Sequence, residues 1–161
     1  MNVHDRQDCE RDILRIQELL NSGIFEQANS KHILQQSAFI DLVICLRDLL
    51  HKTEQYATRV AFADDILTDE HVKDVTDAIT AVRDACCHID SFKHVFDDRG
   101  NRGSYLVAYG KCNLMKIGDL ELKSDYPNDI AVFYGKNRLY LKRHIIRAFD
   151  EARAMLVPLL K

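Results

Sequence analysis

The sequence contains no tryptophan, and it has little glycine or proline, at 6 and 2 residues in 161. Folds with many tight turns need glycine and proline, so their scarcity favours helices over a many-stranded architecture. No run of about 18 apolar residues is present to span a bilayer, and the polar segment from Met1 to Asp8 does not resemble a signal sequence. These absences predict a cytoplasmic protein without a membrane segment.

The chain also lacks a Cys-x-x-Cys pair, although it has 5 cysteines. Most of them fall on apolar positions of predicted helices, which favours reduced thiols in a core over a zinc site. Phosphate-binding glycine loops, His-Glu-x-x-His and Gly-x-Ser-x-Gly are absent as well. We therefore expect no metal and no cofactor. The length fits one domain that spans residues 1–161.

Charge is distributed unevenly along the chain. Residues 1–98 carry 10 basic and 19 acidic side chains, whereas residues 99–147 carry 10 basic and 4 acidic ones. Segregation of this kind predicts a basic face that can meet phosphate groups. A solvated sheet surface with ordinary charges is the alternative interpretation.

Helical spacing of apolar residues predicts four helices. The first runs from Asp5 to Asn21, and the second from an N-cap at Ser30 to Leu50. The third begins at Thr68 or Asp69 and continues to Ile89, and the last runs from about Lys142 to Leu160. Residues 53–63 fit either a continued helix or a loop, and Asp64-Asp65 marks a break.

The third predicted helix has the most regular pattern. Its apolar residues alternate at spacings of three and four, which gives a seam against a partner helix; they are Val72, Val75, Ile79, Val82, Cys86 and Ile89.

Between the third and last helices the pattern changes to that of short strands. A loop at residues 97–103 precedes a strand from Ser104 to Tyr109, and turns at Gly118-Asp119 and residues 135–137 separate further strands within residues 113–142. The sequence therefore predicts an α+β protein, mainly α. We expect a helical bundle of about four helices with a small antiparallel β insertion, at about residues 104–142, before the C-terminal helix.

The segment that best suits chemistry is Val82-Arg-Asp-Ala-Cys-Cys-His88 on the third helix. Arg83 is a permanent cation and His88 can accept or donate a proton, a combination that suits reactions at phosphate. Asp84 lies four residues before His88, where it can orient the imidazole. A two-fold partner could bring a second Arg and His to the same cleft. A surface arginine with an ordinary helix histidine is the alternative interpretation.

This Arg-x4-His segment, with a polar residue after the arginine, resembles the motif of the HEPN superfamily of helical-bundle ribonucleases. The resemblance covers residues 5–98 and the C-terminal helix, and the β insertion is not part of the minimal family bundle. It implies a homodimeric endoribonuclease that needs no metal, often within toxin-antitoxin or antiphage systems, with a cognate antitoxin protein as a possible partner. One departure is Asp90, where the toxins that pair with a nucleotidyltransferase have a tyrosine.

Other histidines fit the pattern less well. Arg138 and His144 are correctly spaced, but Leu139 follows the arginine and the segment reads as a strand entering a helix. Arg47 and His51 stand one residue too close, and we predict an exposed edge of the second helix there. His71 and His94 stand alone and are predicted to be surface residues.

The densest basic stretch follows the strands. Tyrosines interleave with its cations, a mixture that can contact phosphates and stack on bases. The predicted RNA-binding residues are Lys136, Arg138, Lys142, Arg143 and Arg147. Ordinary solvated charges are again the alternative.

Two further hypotheses belong to other functional classes. The chain can be a non-catalytic module that dimerises, docks on a protein through the third-helix seam, or binds RNA without cleaving it. It can also be a pocket protein that holds a small anionic ligand between sheet and helices.

Overall fold

The computed structural model describes residues 1–88, 94–96, 100, 102–118 and 120–161. In these ranges it has four α-helices, α1 (Val3–Asn21), α2 (Gln35–Tyr56), α3 (Val75–Cys87) and α4 (Arg147–Leu156). None of them combines the length and the apolar content that crossing a membrane requires. Ile89, the last residue of the predicted seam, lies outside the described residues, as do Asp90, Asp119 and most of the predicted loop at 97–103.

Five short strands precede α4, and all pair antiparallel. Strands β1 (Leu106–Tyr109), β4 (Ile130–Tyr134) and β5 (Asn137–Tyr140) form one sheet with β4 in the centre. Strands β2 (Cys112–Ile117) and β3 (Leu120–Ser124) form a separate hairpin. The chain is thus α+β, with a small antiparallel β insertion before the C-terminal helix, as predicted.

The sheet is covered on both faces. Val132, Tyr134 and Leu139 belong to the main core with the buried faces of all four α-helices. Phe133 and Tyr140 face the other way and pack with Leu122 of the hairpin. Burial on both faces explains why β4 reads as an apolar run without clear alternation.

Helix α2 lies at the centre of the helical part and packs against α1, α3 and α4. Ile79 and Val82 of α3 are buried in the chain's own core. The partner helix that the seam of α3 predicts is therefore α2 of the same chain. Ile79 and Val82 of the seam are therefore not available for docking another protein.

Two predicted helix starts were wrong. Helix α2 begins at Gln35 rather than beside Ser30, because the backbone N–H groups of Asn29, Ser30 and His32 bond within tight turns. Ile33 is consequently 90% exposed instead of lying in the apolar stripe. At its other end α2 includes residues 53–56, which the sequence left open, and it ends at Tyr56.

Helix α3 begins at Val75, and its N-cap is Asp74 instead of Thr68 or Asp69. The carboxylate of Asp69 accepts the N–H groups of His71 and Val72, at 2.8 and 2.9 Å, and so forms a local turn. Such side-chain bonds compete with helix formation. Val72 is buried on this turn, so its apolar character extends the helical pattern without belonging to the helix.

The predicted C-terminal helix consists of three pieces. A π-helical segment (Leu141–Ile146) precedes α4, and a 3₁₀ turn (Val157–Leu159) follows it. Pro158 has no N–H to donate to the preceding turn, which explains the end of α4. At the start, Asp129 accepts the N–H groups of Lys142 and Arg143 at 2.9 and 3.2 Å.

Candidate active site at the end of the third helix

Arg83 lies on the partly exposed face of α3, with 30% of its side chain accessible. Its Nη1 donates to the carboxylate of Asp84 at 3.2 Å. Its Nε is buried and makes no hydrogen bond to any residue that the structure describes. A buried donor without an acceptor is costly, at about 1–3 kcal/mol, and such groups in native proteins often mark a binding role.

His88 is the C-cap residue of α3 and is exposed. Its backbone has left the helix, with φ −126° and ψ 95°, while its N–H still donates to the carbonyl of Asp84 at 3.1 Å. An ideal helix would fix the angle between the Arg83 and His88 side chains around its axis. Because His88 has left the helix, that fixed angle does not apply to this pair. The imidazole stands at the helix end, where it can reach solvent and a substrate.

Asp84 is the residue between them. The sequence predicted that its carboxylate orients His88; the structure pairs that carboxylate with Arg83 and pairs the Asp84 carbonyl with the His88 backbone. The three predicted catalytic residues thus share one short segment, and Asp84 contacts both of the others. Their roles in catalysis remain predictions.

A cavity of about 290 Å³ opens beside this helix end. It lies between α2, α3, β4 and the segment before β1, and its lining mixes polar and apolar surface. The lining residues are Gln36, Ala85, Cys86, His94, Arg102, Gly103, Ser104 and Tyr134. Sequence reasoning singled out Cys86 in the third-helix segment and Tyr134 as a tyrosine interleaved with the basic stretch, and it did not assign the other lining residues to a site.

His94 connects the cavity to the predicted catalytic segment, because its Nε2 lies 3.2 Å from the carbonyl oxygen of His88. The prediction that His94 is a surface residue was wrong: it is 7% exposed, and its ring lies against that of Tyr134. Its burial depends on residues far along the chain, so local sequence gave no signal. His71 is exposed, as predicted.

The Cys86 thiol at the cavity is not an activated nucleophile. Burial raises the pKa of Cys86 to about 12, so this thiol is protonated at neutral pH. Burial also raises the pKa of Tyr134. All five cysteines are free. The floor of the cavity therefore presents neutral hydrogen-bonding groups.

The predicted RNA-binding residues belong to the basic part of the sequence. Most of them contact carboxylates from its acidic part. Lys136 pairs with Asp69 at 3.0 Å, and Arg147 pairs with Asp64 at 2.9 Å. The Arg143 guanidinium is 3.7 Å from the Asp65 carboxylate. The acidic connection between α2 and α3 therefore lies against the basic segment and offsets much of its charge.

Arg138 is the least accessible of the set, with 10% of its side chain exposed. It donates to the Lys123 carbonyl and to Asp125, at 3.0 and 3.1 Å, and lies over the Tyr140 ring. This arginine holds the β2–β3 hairpin against the sheet. Lys142 is exposed and remains accessible to an anionic partner.

Arg143 and Arg147 also stack on aromatic rings, at 3.4 Å from the Tyr126 centroid and 3.7 Å from the Phe62 centroid. A second cavity, of about 270 Å³, lies between these arginines and the acidic connection. Its lining mixes both signs of charge: Asp64, Asp65, Asn128, Asp129, Lys142, Arg143 and Arg147.

The two other arginine–histidine pairs are structural. His144 is fully buried, its Nδ1 accepts the Tyr140 N–H at 3.1 Å, and its Nε2 lies 3.0 Å from the Asp64 carbonyl. Burial lowers its pKa to about 4, so the ring is neutral at pH 7. His51 is exposed on α2, as predicted, and Arg47 pairs with Asp48.

Within the described ranges, no group of three or more His, Cys, Asp or Glu side chains is positioned to hold a metal ion. Metal independence of the chemistry remains a prediction. No protein-family model, curated protein or solved structure matches the chain.

Proposed function

We propose that this chain is a cytoplasmic, metal-independent endoribonuclease of the HEPN type, a homodimeric helical bundle with its active site at the end of α3. One observation carries the proposal. The buried Nε of Arg83 has no acceptor among the described residues, and the exposed His88 ends the same helix five residues later. An unsatisfied guanidinium donor beside an accessible imidazole suits a phosphodiester substrate.

The reaction assigns one role to each group. His88 removes the proton from a ribose 2′-hydroxyl, whose oxygen then attacks the adjacent phosphorus. Arg83 donates to the non-bridging oxygens as negative charge increases in the transition state. The bond from phosphorus to the 5′-oxygen breaks, and that oxygen takes a proton from an imidazolium. The products are a 2′,3′-cyclic phosphate and a 5′-hydroxyl, and no metal or other reactant is needed.

A dimer would supply the proton donor of the reaction, because the His88 of one copy acts as the proton acceptor. General acid and general base catalysis at the two oxygens requires two imidazoles in opposite protonation states, and one His88 supplies only one of them at a time. Two-fold symmetry would place the His88 of a second copy across the same cleft. In this arrangement the basic segment, above all the exposed Lys142, guides RNA towards the cleft.

The test is cleavage of a mixed RNA pool in excess chelator. Wild type should cleave and leave 2′,3′-cyclic phosphate ends, whereas His88→Ala and Arg83→Ala should lose at least about 100-fold of the activity. His51→Ala is the matched control, because it removes an exposed histidine of the Arg47–His51 pair and should leave the rate unchanged. Absence of cleavage by a folded wild-type dimer would refute the proposal.

A mixing experiment tests the composite site. Wild-type and His88→Ala proteins are unfolded together in equal amounts and refolded, so that about half of the dimers are mixed. If each cleavage needs the His88 of both copies, the mixed dimers are inactive, and the activity per total protein falls to about a quarter of that of wild type alone. A fall to only about half would restrict the site to one copy.

The second candidate function is that of a non-catalytic interaction module. Such a module would bind an antitoxin-like protein or RNA. Ile33 and Leu34 favour it, because these neighbouring apolar side chains are 90% and 56% exposed. This reading predicts that Ile33→Asp abolishes partner capture, and that His88→Ala leaves capture intact. The cleavage assay above separates the two functions.

A further inference from the structure

The phenol of Tyr134 is buried beside the 290 Å³ cavity. The residue is 1% exposed, and its hydroxyl oxygen makes no hydrogen bond of normal geometry to any described residue. The Cys86 thiol and the Gln36 amide lie close enough to this hydroxyl to affect its pKa, and both line the cavity together with Tyr134. A ligand in the cavity could therefore reach a hydroxyl whose protein neighbours are poorly aligned for hydrogen bonding.

The other lining residues change from neutral to cationic towards the mouth. The Cys86 thiol stays protonated, and His94 is buried, whereas Arg102 and Ser104 are exposed. Neutral donors and acceptors suit the edge of a heterocyclic base, and an exposed guanidinium suits a phosphate. Gln36 is exposed on a flexible stem, so its side chain can move aside from the hydroxyl.

The volume and the position of the cavity further restrict which ligands it can bind. A volume of about 290 Å³ is close to the lower limit of roughly 300–1,000 Å³ for small-molecule sites, and it admits one nucleotide rather than a larger cofactor. Cys86 lies between Arg83 and His88 in the sequence, and His94 contacts the His88 carbonyl. A ligand in the cavity would therefore lie next to the proposed catalytic groups.

We propose that this cavity binds a single nucleotide of the RNA substrate, next to the cleaved bond. Its base reaches the Tyr134 hydroxyl, and its phosphate meets Arg102 at the mouth. The cavity thereby selects the base at the cleavage site. This inference rests on the proposed ribonuclease function and specifies its substrate preference.

The binding experiment uses full-length His88→Ala protein, which should retain the cavity without consuming RNA. Nucleoside 5′-monophosphates with the four RNA bases are titrated separately, with ribose 5-phosphate and inorganic phosphate as probes that lack a base. One nucleotide should bind at least about tenfold more tightly than ribose 5-phosphate. Equal affinity for all of these probes would overturn the inference.

Tyr134→Phe removes only the hydroxyl. It should weaken the preferred nucleotide about threefold to tenfold, as expected for loss of one hydrogen bond, and leave ribose 5-phosphate unaffected. Because this hydroxyl makes no hydrogen bond of normal geometry to the described residues, the melting temperature should change little. Tyr126→Phe is the control, since its hydroxyl bonds Asp65 away from the cavity. A Tyr134→Phe variant that melts lower, or binds like wild type, would overturn the inference.

An oligoribonucleotide distinguishes a nucleotide within an RNA chain from a free mononucleotide as the natural ligand. If the cavity serves RNA, a short oligomer that contains the preferred base should displace the bound monophosphate, and Tyr134→Phe in the active enzyme should broaden the set of cleaved sites. Failure of the oligomer to displace the monophosphate would overturn the RNA assignment.

The failure of the two proposals is distinguishable. Base-selective binding together with no cleavage by wild type would refute the ribonuclease and retain a nucleotide site. Cleavage without base-selective binding, at sites that Tyr134→Phe leaves unchanged, would overturn this inference and retain the ribonuclease.

Discussion

Arg59 and Asp74 form a two-point ion pair, with Nε 2.9 Å from one carboxylate oxygen and Nη2 3.1 Å from the other. The pair joins the connection after α2 to the first turn of α3, where Asp74 is also the N-cap and accepts the Asp77 N–H at 3.0 Å. Burial opposes ionisation of Asp74, but Arg59 and the Asp77 N–H together lower its pKa. The start of the helix that carries Arg83 is thus fixed by a charged, hydrogen-bonded cap.

Removal of this cap should destabilise the protein. We expect Asp74→Ala to lower the free energy of unfolding by about 2 kcal/mol, because the cap is lost and Arg59 loses its bidentate partner. Urea unfolding monitored by circular dichroism measures the change. Asp48→Ala is the control, because this carboxylate sits in an exposed pair with Arg47 and should matter by less than about 0.5 kcal/mol. Equal losses in the two variants would refute the role of the cap.

The same region shows what local sequence can and cannot predict. The interior of α3 was predicted because Val75, Ile79 and Val82 repeat on one face of a helix. Its start was placed too early because Val72 is buried on a turn and so continues the spacing. Two aspartates, Asp69 and Asp74, could each cap a helix, and only the tertiary contact with Arg59 distinguishes them.

Asp84 should matter for catalysis more than for stability. Asp84→Asn keeps the size of the side chain but removes the negative charge that holds the Arg83 guanidinium at 3.2 Å. We expect the cleavage rate to fall by about 10- to 100-fold through misplacement of Arg83. The measurement is single-turnover cleavage of RNA, with the melting temperature as a check on the fold. An unchanged rate would mean that Asp84 does not position Arg83.

The stability of the folded protein should decrease as the pH is lowered, because His144 is buried in its neutral form. Its folded-state pKa of about 4 lies below the ordinary value of 6.5, so the unfolded chain binds a proton that the folded chain excludes. The stabilisation is therefore complete above pH 6.5 and decreases as the pH falls towards 4, by about 3 kcal/mol in total. Urea midpoints at pH 7.5, 6.5, 5.5 and 4.5 are the measurement.

A variant without His144 isolates this contribution. His144→Gln should be less stable than wild type at pH 7.5, and its stability should depend less on pH between 6.5 and 4. His71→Gln, which replaces a histidine whose side chain is 81% exposed, should keep the wild-type dependence. If His144→Gln also keeps it, another group is responsible.

RNA affinity should rise when acidic residues are removed from the connection between α2 and α3. Asp64→Asn and Asp65→Asn each remove one of the two carboxylate partners of Arg147 and Arg143, leaving Glu151 and Asp129 in place. Each released arginine can then neutralise a phosphate, so binding should strengthen and the salt slope should steepen by about 0.7 per contact for a single strand.

The measurement is fluorescence anisotropy with a labelled RNA at several salt concentrations, using His88→Ala protein to prevent cleavage. Asp8→Asn makes the same charge change on α1, where Asp8 pairs with Arg11, and is the control. An increase of the same size with Asp8→Asn would indicate only the change in net charge.

Counting charged residues along the sequence does not show which charges lie next to each other in the fold. The excess of basic residues in 99–147 was read correctly, but the acids at 64, 65 and 69 lie directly against it in the fold. Strand positions were easier to predict, because glycines mark the turns, as at Gly118 and Gly135 with their positive φ. The cavity beside α3 could not be predicted, because its residues come from five separated segments of the chain.

The contact of His144 with the Asp64 carbonyl joins residues 80 positions apart, and Arg147 reaches the Asp64 side chain across 83. Contacts of such long sequence separation slow folding, since a large loop must close before any of them forms. On the ribosome, α2 and the Asp64 segment are therefore synthesised long before their partners emerge. Until residues 141–156 have been made, these surfaces lack their partners, so a chain cut before residue 141 should remain sensitive to proteases.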